Sequence, residues 1–121
     1  MSNETTASII RHFHDAFNRH DIDAIMALMT EDCIFENTYP PPDGERYEGQ
    51  AAVRAFWEKL FADSPQAHFE VEDMFATDDR GVIRWRYRWV SADGSTGHIR
   101  GVDIFRIRDG KVAEKLSYVK G

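Results

Sequence analysis

Between Val82 and Val90 the chain reads VIRWRYRWV, and this strict alternation leaves little freedom in what the segment can become. Ile83, Trp85, Tyr87 and Trp89 fall on one side at a period of two, with Arg84, Arg86 and Arg88 on the other. A strand with one face buried and the other wet satisfies that pattern; a helix does not. Three further segments alternate in the same way, separated by the turn sequences DDRG at 78–81, ADGS at 92–95 and RDGK at 108–111. The spacing therefore predicts an antiparallel meander. In its first hairpin, setting Glu72 against Arg86 and Glu70 against Arg88 places charge pairs outside and Phe69, Val71, Asp73 and Phe75 inside.

The first half of the chain has a different period. Ile10, Phe13 and Phe17 recur at helical spacing, with Ile9 and Ala16 alongside, which predicts a helix over about Thr5 to His20. Asp21 is placed to cap a second helix carrying Ile22, Ile25, Met26, Leu28 and Met29. A short strand, Cys33 to Asn37, leads into a loop from Thr38 to Glu48, where Pro40, Pro41 and Pro42 forbid regular pairing. A third helix, Gln50 to Ala62, carries the full apolar stripe Val53, Phe56, Trp57, Leu60 and Phe61. Helices followed by strands give an α+β domain, three N-terminal helices packed in a curved antiparallel sheet. A length of 121 residues fits a single domain, 1–121, able to bury roughly two-thirds of its unfolded surface.

Within the meander, Ile99, Gly101, Asp103, Phe105 and Ile107 share the inner face while Arg100, Arg106 and Arg108 take the outer one. A carboxylate on an apolar face must be neutralised, paired or used, so Asp103 is the candidate acid/base of a pocket. With Trp85, Phe105 and Ile99 around it and the arginines on the opposite face, Asp103 is expected to titrate above a free aspartate. Trp85, Tyr87 and Trp89 form an aromatic row whose polar atoms suit a half-open cavity, with Trp57 completing the lining. Asn37 supplies an amide able to orient a carbonyl, and Tyr39, on the proline loop, is expected at the rim. Asp73 is the next carboxylate by face, ranked below Asp103. His12 and His14 lie two apart on a helix and cannot share a face, which argues against a metal pair; His14, one residue beyond Phe13, could reach a cavity alone, with a solvated ring the safer reading. The last strand stays open: a two-residue Asp109-Gly110 turn puts Val112, Glu114 and Leu116 inward, whereas a bulge puts Lys115 and Ser117 inward.

Nothing resembles HExxH, a P-loop, GxGxxG or GxSxG, so neither metal nor cofactor is expected. A net charge of −6 argues against nucleic acid and against a polybasic membrane contact. The lone Cys33, the polar start MSNETTAS and the lack of a membrane-length apolar run lead to a cytoplasmic expectation. The expected partners are a small hydrophobic molecule and a second copy. Val102 and Ile104, sharing the outer sheet face with arginines, suit a homodimer interface.

The segments HDIDAIMALMTEDCIFEN, EGQAAVRAFW and RGVDIFRIRDGKVAE resemble the SnoaL-like polyketide cyclase group of the nuclear transport factor 2-like superfamily. That resemblance implies a cone of helices against a bent sheet with a pocket inside, and commonly sheet-to-sheet dimers. It also implies that Asp103 serves as acid/base, as in the cyclases, or binds an enolate oxygen, as in the ketosteroid isomerases. At the isomerase base position this chain has the amide Asn37. At the oxyanion tyrosine position it has Phe13, which joins Phe105 in the expected ligand lining. Where epoxide-opening relatives carry an aspartate before a tyrosine, it has Ser117 before Tyr118. The implied function is a cofactor-independent cyclase or isomerase acting on a small hydrophobic carbonyl compound. The alternative is a non-catalytic binding or dimerisation module of the same fold.

Overall fold

The computed structural model describes residues 3–120; Met1, Ser2 and Gly121 of the expected domain lie outside the described residues. Helix α1 spans Asn3–Asn18 and ends ahead of His20, whose left-handed backbone (φ 56°) turns the chain toward α2, Ile22–Ala27. The Asp21 carboxylate accepts the Ala24 N–H at 3.1 Å and caps α2 as expected. Leu28 and Met29 do not continue that helix. The Leu28 carbonyl accepts the Val112 N–H at 2.7 Å, so the chain enters the sheet and strand β1 runs Met29–Glu36 rather than starting at Cys33.

The loop expected over Thr38 to Glu48 is shorter than the prolines suggested. They occupy only its first part, which frees Arg46–Glu48 to form β2 against β1, with Phe35 opposite Tyr47. Helix α3, Gln50–Asp63, lays Val53, Trp57 and Phe61 into the core. Strands β3 (His68–Thr77), β4 (Arg80–Val90), β5 (Thr96–Arg108) and β6 (Lys111–Val119) form the predicted meander. The sheet order is β2-β1-β6-β5-β4-β3. One correction concerns direction: β1 runs parallel to β6, so the sheet is mixed rather than antiparallel throughout. The long connection from β1 to β6, through α3 and four strands, is what permits a parallel return. Helices α1 and α3 pack Ile10, Phe13, Phe17 and Trp57 against Ile83 and Phe105 on the inner face.

Two irregularities decide which side chains face inward. In the β3–β4 hairpin, the two-residue turn Asp78-Asp79 sets Thr77 opposite Arg80, Met74 opposite Ile83 and Phe75 opposite Val82. Beyond a register shift at Glu72, Glu70 faces Arg86 and His68 faces Arg88, not the expected Glu72–Arg86 and Glu70–Arg88 rungs. The bulge absorbs one residue, so Phe69 still points inward while Asp73 and Phe75 turn outward, exposed. Asp73 opposes Arg84 and accepts the Met74 N–H at 2.9 Å, which removes it as a second pocket carboxylate. The expected charge partners still meet on diagonals, Arg88 with Glu70 at 3.1 Å and Arg86 with Glu72 at 3.8 Å, and Arg100 reaches across β4 to fork Glu72 at 2.9 and 3.0 Å.

The second irregularity lies in the β5–β6 hairpin. Asp109 (φ 54°) and Gly110 (φ 76°) form a tight turn, placing Arg108 opposite Lys111 and Ile107 opposite Val112. The register then slips between Arg106 and Ile107, after which Phe105 opposes Lys115 and Asp103 opposes Ser117. Of the two alternatives for the last strand, the bulged one is adopted. Lys115 is buried on the inner face.

Candidate functional site

Asp103 comes from the middle of β5 with only 2% of its surface exposed. On the diagonal, β6 brings Lys115 from opposite Phe105, and its Nζ lies 3.2 Å from Asp103 Oδ2 and donates to Ser117 Oγ at 3.1 Å. The ammonium also sits over the Phe35 ring (4.7 Å to its centre) and near Trp57 (5.6 Å). The expectation of an isolated acid among apolar neighbours is corrected here. It weighed only the arginines of the outer face, and the β5–β6 bulge brings a lysine inside.

These groups line a cavity of about 140 Å³. Its apolar walls are Phe17, Phe35, Trp57, Phe69 and Trp85, and half-buried Asn37, Thr38, Tyr87 and Ile99 stand at its open side. Trp85 reaches in because its cross-strand partner is Gly101, where a Cβ would meet the indole at 2.8 Å. Three buried polar atoms on lining residues have no hydrogen-bond partner: Asp103 Oδ1, Trp57 Nε1 and Trp85 Nε1. Buried polar groups are nearly always bonded, and each orphan costs about 1–3 kcal/mol. One acceptor and two donors with no protein partner suit a small molecule carrying both kinds of group.

The cavity thus gathers Asp103, Asn37, Trp57, Trp85 and Tyr87 from the expected site. It does not gather the other four. Phe13 and Phe105 are fully buried behind it, ring against ring at 5.6 Å, as core. Trp89, the second-last residue of β4, is 37% exposed and outside the cavity. Tyr39 follows Thr38 but lies outside the cavity lining and is 71% exposed.

Lys115 and Ser117 were left open by the sequence, although Val112-Ala113, two apolar residues in succession, already break the alternation where the bulge falls. His14 is also placed differently from the solvated reading. It lies on the Ile10, His14, Phe17 stripe of α1, buried and edge-on to Phe69 at 5.9 Å. Burial pushes its imidazole down to about 4, helped by the charges of Lys115 and His68 and opposed by that of Asp103. Among the described residues no group of three or more His, Cys, Asp or Glu side chains is arranged to hold a metal ion. Nor is any helix long and apolar enough to cross a membrane.

Comparison with known proteins places this geometry in context. A family model described as a SnoaL-like domain matches residues 10–115. Among solved structures, an NTF2-like protein of unknown function from Mesorhizobium loti is 43% identical, covering 98% of this chain and 93% of its own, with a TM-score of 0.82. A candidate polyketide cyclase from Xanthomonas campestris pv. campestris superposes with a TM-score of 0.79 at 24% identity, covering 98% of this chain and 92% of its own. A candidate ketosteroid isomerase from Kribbella flavida does so with 0.82 at 20% identity, covering 98% and 80%. The last two likenesses establish the fold. No curated protein matches the chain significantly.

Proposed function

The chain belongs to the SnoaL-like domain family, and from that premise we propose that its cavity performs cofactor-independent proton transfer next to the carbonyl of a small, largely apolar molecule. The observation that carries this reading is the buried Asp103–Lys115 pair, with Asp103 Oδ1 left without a partner beside an aromatic cavity. Oδ1 is the acceptor for a carbon-bound proton. Lys115 keeps the carboxylate oriented through Oδ2 and places positive charge beside the developing enolate. Asn37, at the open side, is a donor for the carbonyl oxygen or a substituent. A cavity of about 140 Å³ matches one six-membered ring, since an engineered apolar cavity of about 150 Å³ holds benzene.

The cyclase and isomerase names carried by two structural neighbours support this class of chemistry for the chain, though not a particular substrate. Binding without turnover is the second reading. It is favoured by the amide at Asn37 and by Phe13, which offers no hydroxyl and is sealed in the core.

Cyclohexanone in deuterated water tests both. Proton loss at its α-carbons, followed by NMR, should run well above the buffer rate and fall on the order of 10²- to 10⁴-fold in Asp103→Asn. Saturable tryptophan quenching by the ketone without deuterium uptake would establish the binding reading instead. Neither signal from the folded protein would reject both.

A further inference from the structure

We propose that Lys115 is a carbonyl-condensing amine, forming a Schiff base with a ring-sized ketone or aldehyde held in the cavity while Asp103 carries the protons. This rests on the reading of the cavity as a carbonyl site. Lysines ordinarily run their stems along a surface and leave the ammonium in water. Lys115 instead has a side chain 8% exposed, enclosed by Phe35, Trp57, Asp103 and Ser117. A buried ion pair is a poor stability device, because an apolar pair of the same volume is often as good or better. A desolvated lysine beside a proton acceptor is, by contrast, the arrangement that frees an amine for attack on a carbonyl carbon.

The chemistry balances within the pair. Asp103 Oδ2, 3.2 Å away, takes one proton from the ammonium, leaving a neutral amine and a neutral acid. The amine lone pair attacks the carbonyl carbon, and a second N–H proton passes to the alkoxide oxygen to give a carbinolamine. Protonated Asp103 then returns its proton to that hydroxyl as the carbon–oxygen bond breaks. Water leaves, the nitrogen carries one proton and the positive charge of an iminium, and Asp103 is again a carboxylate. The iminium acidifies the neighbouring carbon. Asp103 can then remove that proton, the C–H pair forming the enamine double bond and the C=N π pair returning to nitrogen. The dry, apolar wall around Nζ slows hydrolysis of the condensed state.

The test uses the intact chain with cyclohexanone and sodium borohydride, read by intact mass and peptide mapping. The expected result is one reduced adduct, the mass of the ketone less its oxygen, on the peptide bearing Lys115. The exposed Lys59, Lys111 and Lys120 should stay unmodified, and Lys115→Arg should lose the adduct. A second measurement needs no variant: ¹⁸O-labelled cyclohexanone should exchange its oxygen with water at least as fast as it takes up deuterium, because every turnover through the imine expels that oxygen. Deuterium uptake with the label retained and no adduct overturns the Schiff base while leaving proton transfer by Asp103 standing. Absence of uptake, exchange and adduct in the folded protein overturns both.

Discussion

Asp103 and Lys115 sit where either one alone would be a buried charge without a counter-charge. Removing one partner of such a pair is costly, about 3–5 kcal/mol, whereas replacing both by apolar groups of similar volume is often tolerated. Lys115→Met and Asp103→Leu should therefore each lower the urea midpoint strongly, and the double variant should be more stable than either single one. Additive losses in that cycle would show that the two side chains do not interact. Asp103→Asn keeps the shape and a hydrogen bond, yet also strands the ammonium. Its loss of activity must be read against its own unfolding curve.

His14 is held down to about 4 chiefly by burial. Between about 4 and 6.5 the unfolded chain binds a proton at this position and the folded chain does not, so stability must rise with pH across that window. Going the other way, acidification from about 6.5 to about 4 removes up to about 3 kcal/mol, taking roughly 1.4 kcal/mol per pH unit. His14→Phe, which keeps a ring edge-on to Phe69, should flatten that part of the curve. Urea unfolding at several pH values measures it, and an unchanged slope would show that His14 does not titrate as assigned.

At the scale of elements, the loop between β1 and β2 shows how one residue can hold a site in place. Gly44 has φ +78°, and a Cβ there would lie 1.7 Å from the Asn37 carbonyl oxygen. The Glu45 carbonyl takes the Asn37 N–H at 2.9 Å, so the loop folds directly onto the residue at the cavity's open side. Gly44→Ala should cost more than about 1 kcal/mol from its backbone conformation alone, with the clash added to it. Thermal unfolding measures that loss, and a shift of the Asn37 amide resonances would locate it. The helices were legible because apolar stripes at helical spacing and a capping Asp21 are local signals. The length of the loop was not, since the prolines mark where pairing is forbidden and say nothing about where it resumes.

Across the whole molecule, the outer sheet face carries an apolar row in register over four strands, Phe75, Val82, Ile104 and Leu116. Phe75 is 61% exposed and Tyr118, opposite Val102 in the adjacent row, 52%. We propose that a second copy covers this row, with the flanking arginines and glutamates forming a polar rim. Light scattering at micromolar concentration should then give twice the 14.0 kDa chain mass, and Ile104→Glu should return it to the monomer without loss of fold. A wild-type protein of single-chain mass would remove the idea.

What the sequence determined by itself is the set of local periods. Side chains two apart on a strand must share a face, so Asp103 among Ile99, Phe105 and Ile107 could be placed on the inner side without knowing its neighbours. The same held for the helical stripes that built the three-helix, single-sheet cone. What only the tertiary structure decided is register and the order of strands. Asp73 turned outward because a two-residue turn and the bulge at Glu72 together reset its parity. Lys115 turned inward because a bulge inserted one residue into β6, and β1 lies parallel to β6 through a pairing that neither strand's own period specifies. A slip of one residue costs little locally and exchanges every face beyond it. The partner that makes Asp103 a pair was therefore settled by the pairing of strands and not by either strand alone.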